Sequence, residues 1–439
     1  MKGTSLSTNR WRIAASGFCL QLCLGSVYAW SYFQIPLMIR HHWSHTQVAW
    51  VFSLAICFLG LAAAWGGLNL EKWGPRRLAM LGGLLFGTGT LTAALALHFE
   101  SLVLLYVGYG VIGGTGLGLG YVTPVATVAK WFPDQKGLVT GLVIMGFGLG
   151  AMVMSKGMAP ILMAVTGNNL VYVFTILGVL FLIVTPSCGA VLENPPPEFA
   201  QTDHTPHPSA VTEDQCESIR IKPILLSRRF LTMWGVFFCN IVAGIAIIGF
   251  QSPLLQDLLS KKDPTLTTAS MVSTGATLIA ASSVFNGLGR FFWGWASDRI
   301  GRMVIFRIML ATQGVAFLIL FKTESPWLFA VMVCYILLCY GGGFGAMPAF
   351  VLDVFGRIRM PVIYGVILTA WSAGGIVGPQ IVAWLKDHYA QQAGPAAFLV
   401  SAAFLLLGLT LSAGLTDKPF RTTEPTTRKK ALVSLSLPA

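Results

Sequence analysis

The sequence predicts an all-α membrane protein with twelve transmembrane helices in two pseudo-symmetric six-helix lobes. Three observations predict it. Of 439 residues, 55% are apolar and only 10% charged, and the mean hydropathy is +0.71; an average soluble chain is about a quarter charged. Apolar stretches of spanning length recur twelve times. The basic residues gather at one set of loops. The first observation alone excludes an ordinary soluble enzyme, a nucleic-acid binder and a disordered scaffold, because too little polar surface remains to face water.

The first six stretches fall at about 12–36, 47–70, 78–98, 102–129, 138–163 and 169–192. The second six fall at about 230–257, 268–296, 304–321, 326–352, 361–385 and 395–415. A helix needs roughly 20 apolar residues to cross the hydrocarbon core. The first stretch, starting at Ile13, is too long for a signal-peptide core and lacks a clear small-residue cleavage site, so it reads as mature structure. Gly and Pro inside the stretches are compatible with membrane helices. The run Glu193-Asn194-Pro195-Pro196-Pro197-Glu198 opens a polar linker over 193–229. Residues 1–192 and 230–415 are then the two lobes. Residues 416–439 are a basic tail expected near anionic headgroups, with Arg428, Lys429 and Lys430 adjacent.

The formal charge is +12, from 29 Lys and Arg against 17 Asp and Glu. With an even number of spans both termini share a side. That side holds 22 basic residues; the other holds five: Arg40, Lys261, Lys262, Lys322 and Lys386. This bias places both termini in the cytoplasm and the chain in the inner (plasma) membrane. It also explains the basic charge without nucleic acid. The eight cysteines form no CxxC or Cys/His ligand pattern and read as small buried thiols. His41, His42 and His45 read as a polar outer loop rather than a metal site. No cofactor and no metal are expected.

The two halves repeat. Gly67, Glu71 and Gly74, followed by Arg76 and Arg77, recur 227 residues later as Gly294, Asp298 and Gly301, followed by Arg302. Pro124 and Pro348, and Gly141 and Gly365, are 224 apart. A duplicated six-helix half joined by a polar linker is the sign of a two-lobed carrier with its site near mid-membrane, where the lobes meet. The run Gly294-Trp295-Ala296-Ser297-Asp298-Arg299-Ile300-Gly301-Arg302 resembles the cytoplasmic signature of the major facilitator superfamily. The resemblance implies a gate role for Gly294, Asp298, Arg299 and Gly301, and for Glu71 in the weaker first copy, holding the cytoplasmic side closed.

Two basic residues lie inside spans. Lys156 is about 18 residues into the fifth, near the outer surface, and reads as snorkelling, with attraction of anions into an outer vestibule as the sharper alternative. Arg290 lies about seven residues, or roughly 10 Å, before the cytoplasmic loop, and its side chain leans back toward mid-membrane. An arginine there costs several kcal/mol unless paired or wet. None of the 17 acidic residues lies in mid-span, so an internal ion pair is excluded. Arg290 is therefore expected to line the cavity and to pair with an anionic substrate. Asn286, one turn earlier on the same face, can hydrogen-bond a hydroxyl, a keto oxygen or a second carboxylate oxygen. The aromatic candidates inside spans are Tyr28 and Trp30, Tyr121, Phe147, Tyr340, Phe344 and Trp371.

Five segments together resemble the oxalate/formate-antiporter branch of the superfamily, close to bacterial monocarboxylate transporters. They are Gly25–Phe33, Lys130–Gly137 with Gly141 and Gly146–Gly150, Phe285–Arg302, Tyr340–Phe350 and Tyr364–Pro379. The resemblance implies that Arg290 meets the substrate carboxylate and that Tyr28, Tyr121, Phe147, Tyr340 and Phe344 line the cavity. Two positions depart from the pattern. Trp371 stands where oxalate exchangers of this branch have a lysine, and Asn286 where animal proton-coupled monocarboxylate carriers have an aspartate. One buried cation neutralises a monoanion and leaves the second charge of a dianion unpaired. The expected function is alternating-access transport of a small monocarboxylate of the lactate, pyruvate or formate type. Oxalate/formate exchange is the rival, and coupling is left open between exchange, symport with a co-transported proton, and uniport. A monomer is expected. A non-transporting membrane sensor is disfavoured by the short, simple tail, and an enzyme by the want of any catalytic constellation.

Overall fold

The computed structural model describes residues 3–132, 136–196, 221–356, 359–389, 392–416 and 418. Among the described residues, twelve helices are long and apolar enough to cross a membrane. They are α1 Arg10–His41, α2 His45–Trp73, α3 Pro75–His98, α4 Leu102–Trp131, α5 Val139–Val165 and α6 Leu170–Val191 in the first half. The second half has α7 Arg228–Lys262, α8 Thr268–Ile300, α9 Arg302–Phe321, α10 Pro326–Phe355, α11 Val362–Tyr389 and α12 Ala393–Gly414. The described residues form no strand.

Several helices outrun their apolar stretches. For α7 the apolar run over about 230–257 becomes a 35-residue helix. Hydropathy ends where the hydrocarbon ends, but a helix continues until its backbone groups find a cap. Here Ser227 Oγ accepts the Phe230 N–H at the start, and the helix stops at Asp263. Of the expected linker, 197–220 lies outside the described residues; a short helix, Ile221–Leu225, precedes α7. Of the tail, only Thr416 and Lys418 are described.

Packing repeats with the sequence. In the first half α1 packs on α5, α2 on α4 and α3 on α6; in the second, α7 packs on α11, α8 on α10 and α9 on α12. The halves meet along α2 against α11 and α5 against α8. Exposed apolar side chains are frequent on the peripheral helices, among them Leu95, Ile183, Val315 and Leu406. Such a surface suits lipid rather than water. The final glycines of the duplicated motif, Gly74 and Gly301, end α2 and α8 with φ of 76° and 102°. A side chain is strained in that region, so the spacing of the motif reflects a backbone demand.

α1 is broken near its middle by a 3-10 turn, Gly25–Ala29. A Cβ on Gly25 would lie 2.0 Å from the Phe147 carbonyl oxygen, so α1 and α5 touch through their backbones here. The tighter turn re-aims Tyr28 relative to the rest of the helix. The seven described cysteines are free thiols. His41 stacks on Trp43, and no group of metal-ligating side chains occurs among the described residues.

Candidate functional site

α8 carries Arg290 and Asn286, spaced by one helical turn so that both face inward. Small residues hold the helix close to its neighbours. A Cβ on Gly289 would sit 1.9 Å from the Leu338 carbonyl oxygen of α10, and one on Gly148 of α5 would sit 2.7 Å from Gly287. The glycines around the arginine thus serve close helix approach rather than an open void.

Arg290 is only 2% exposed. Its Nη1 donates to the Tyr121 hydroxyl at 3.3 Å. Its guanidinium carbon lies 5.6 Å from the Phe147 ring centre and 5.1 Å from that of Phe344. The negative ring faces supply part of the stabilisation that a carboxylate would give, about 2 kcal/mol for a desolvated contact. Nε and Nη2 have no hydrogen-bond partner. These two atoms share one edge of the planar group, the edge that matches the two oxygens of a carboxylate. Every described acidic residue is exposed, so none is buried beside Arg290.

The other expected aromatics close the box. The Tyr28 and Tyr340 hydroxyls lie 2.8 Å apart and join α1 to α10 across the lobe seam. Tyr28 and Tyr121 each meet Phe147 edge-on, at 5.1 and 5.2 Å between centres. Trp371 packs on Phe344 at 4.6 Å and on Tyr121 at 5.2 Å. Tyr340 packs on Phe344 at 5.3 Å. Trp30 is not part of this cluster; it packs on Tyr109. Phe237 and Tyr364, which the sequence did not single out, adjoin Phe344 and Tyr121 respectively.

The sequence leads one to expect Arg290 on the cavity between the lobes; here Phe147 and Phe344 stack over its buried guanidinium. The small cavity beside the box, about 10 Å³, is lined by Asn286 with Tyr28, Gln251, Ser282 and Ser283, not by Arg290. That volume suits about one water molecule. The Asn286 side-chain oxygen is buried there without a partner.

Residues 17–287 and 264–437 match the family model of the Major Facilitator Superfamily. The chain belongs to the major facilitator superfamily. It is a multi-pass membrane transporter, not an enzyme. Among superfamily relatives, it is 27% identical over 380 residues to the uncharacterized MFS-type transporter YhjX of Escherichia coli (strain K12), covering 86% of this chain and 88% of that one. It is 24% identical over 417 residues to the oxalate:formate antiporter of Oxalobacter formigenes, covering 94% and 92%. It is 26% identical over 396 residues to apicoplast pyruvate carrier 1 of Toxoplasma gondii, covering 79% and 70%. A bacterial homologue of the human lysosomal transporter Spinster, solved inward-facing and unoccupied, superposes with a TM-score of 0.68 at 15% identity, covering 95% and 99%. That likeness shows the superfamily fold.

The superfamily signature makes its contacts inside the second lobe. Asp298 pairs with Arg302, whose Nε also meets Asp353 of α10 at 3.1 Å. Arg299 stacks on Trp295 at 4.2 Å. Gly294 lets α8 pass the Gly345 backbone of α10, 3.5 Å from where its Cβ would be. Glu71 is exposed. Among the described residues, neither Asp298 nor Arg299 reaches the first lobe; Asp298 ties the end of α8 through Arg302 to α9 and α10. Lys156 is exposed on α5.

A further polar bridge between lobes lies at the opposite end. The Asp387 carboxylate at the end of α11 accepts the His45 N–H at 2.9 Å and the Thr46 N–H at 2.8 Å. These are orphan amides at the start of α2, so one lobe caps a helix of the other.

Proposed function

We propose that this transporter carries a small monocarboxylate by alternating access, with the carboxylate seated on the Nε–Nη2 edge of Arg290. The observation that carries the proposal is that edge: two buried donors left unpartnered in a site where Nη1 is already satisfied. A buried guanidinium costs several kcal/mol without a counter-charge, and an organic monoanion supplies one while filling both donors. Asn286 faces the adjoining cavity and suits a hydroxyl or keto oxygen on the same molecule. The Tyr28–Tyr340 bridge separates to admit the anion and re-forms over it. Both termini lie in the cytoplasm, the chain sits in the inner membrane as a monomer, and lipid covers the peripheral helices.

Arg290→Gln in proteoliposomes tests this reading. Lactate and pyruvate uptake should fall at least about a hundredfold, the scale expected when a buried charge-assisted pair loses one partner. The protein should still fold. Uptake at the unaltered rate would reject the role of Arg290.

A second reading, oxalate/formate exchange, is favoured by the oxalate:formate antiporter, which aligns with 94% of this chain. It requires a second cation, and Trp371 occupies the place where the resemblance puts one. Trp371→Lys should therefore bring oxalate binding that the unaltered chain lacks. Oxalate binding by the unaltered chain equal to that of Trp371→Lys would favour the exchanger.

A further inference from the structure

A strip of buried polar side chains runs along α7 and α8 from the Arg290 box toward the face opposite the termini. Asn286 and Ser282 are one turn apart on α8. Ser282 Oγ donates to Gln251 Oε1 at 2.7 Å on α7. Ser252 follows, and its Oγ accepts Gln256 Nε2 at 3.0 Å. All five are at most 9% exposed. Four of the five satisfy one another in pairs, as buried amides and hydroxyls must, and the Asn286 side-chain oxygen at the inner end of the strip has no partner. Together they give the inner part of these two apolar spans a polar side leading from the box toward the outer end.

Gln256 also lines a groove of about 1410 Å³ at the mouth of the lobe seam. Its walls come from both lobes, with Met38 and His45 on one side and α7, α8 and the α9–α10 loop on the other. Of the five basic residues assigned to that face by sequence, four line this one groove: Lys261, Lys262, Lys322 and Lys386. The acids lining it are Asp257 and Glu324, and Asp257 is committed to Lys386 at 2.5 Å. The groove therefore carries net positive charge on a face otherwise poor in it. A low-dielectric cleft lined by one sign of charge concentrates the opposite ion.

We propose that this groove is an outer antechamber, a collecting site for small carboxylate anions that feeds the α7–α8 strip and then Arg290. The proposal rests on the monocarboxylate reading above. The Asp387 cap on α2 seals the seam beside it: His45, whose amide Asp387 holds, and Lys386, the residue next to Asp387, both line the groove.

The test is lactate uptake into right-side-out vesicles by the triple variant K261Q/K262Q/K322Q. Its KM for external lactate should rise about threefold or more at low ionic strength. At about 1 M salt, where the screening length is about 3 Å, its KM should converge with that of the unaltered chain. The KM for efflux from the cytoplasmic side should not change. A triple variant with the original KM and the original salt dependence would overturn the antechamber alone. An unaltered chain that takes up no small carboxylate would overturn both the antechamber and the reading it rests on.

Discussion

α2 and α8 hold equivalent places in the two lobes. Each ends on an acid–glycine–arginine turn with the glycine at positive φ, and each lies on the lobe seam, α2 against α11 and α8 against α5. Their middles differ completely. At the repeat offset of 227 residues, Leu59 corresponds to Asn286 and Ala63 to Arg290. Leu59 and Ala63 are fully buried and apolar. The turn was kept in both copies because the backbone needs it. The amide and the guanidinium occur in one copy, where they cost folding free energy, so a chemical task accounts for them better than the fold does.

The strongest way to break this comparison is to move the charge. Arg290→Gln combined with Ala63→Arg preserves the buried charge count but moves the fork from α8 to the equivalent position on α2 of the other lobe. Uptake should stay at least about a hundredfold below that of the unaltered chain. Restored uptake would mean that any buried cation at the seam suffices.

The two mouths sharpen it further. The Asp298 cluster lies wholly within the second lobe, whereas Asp387 crosses between lobes, so this conformation is polar-latched at the outer end. Asp387→Asn leaves one acceptor for two amides and removes the charge that favours a helix N-terminus. We expect a shift toward the outward-open form of about tenfold, near 1.4 kcal/mol. With the native cysteines replaced and Ser282→Cys introduced, labelling by a membrane-impermeant thiol reagent should rise accordingly. Unchanged labelling would demote the cap to a local helix contact.

The smallest effect belongs to Tyr121→Phe. It removes the Nη1 partner but keeps the ring contact with Trp371 and Phe147. A hydrogen bond to a charged group is worth about 1.5 kcal/mol, so substrate affinity should change by about tenfold or less. A loss as large as that of Arg290→Gln would place Tyr121 in direct contact with the anion.

Much of this arrangement was legible in the sequence, because hydrocarbon is an unforgiving solvent. The twelve spans, the duplicated turn and the stranded Arg290 follow from what a membrane tolerates. The aromatics of the box were found through glycine-rich surroundings and resemblance, and they converge on one guanidinium. What was missed was of two kinds. The Asp387 cap joins a carboxylate to backbone amides 342 and 341 residues away, and backbone partners leave no mark in a sequence. The polar strip did leave one. Ser252 and Gln256, like Ser282 and Asn286, recur at i, i+4 inside apolar spans, but uncharged polar side chains are common enough in membrane helices that the spacing alone does not mark a path. The closed box itself depends on conformation, which spacing and composition do not encode.

The central claim is that the unpartnered edge of Arg290 awaits a carboxylate. Ligand-induced thermal shift on the purified chain tests it most directly, since a ligand at about a hundred times its Kd stabilises the folded state by about 2.7 kcal/mol. Lactate or pyruvate should raise the Tm of the unaltered protein and leave that of Arg290→Gln unmoved. Equal stabilisation of both proteins would contradict the account.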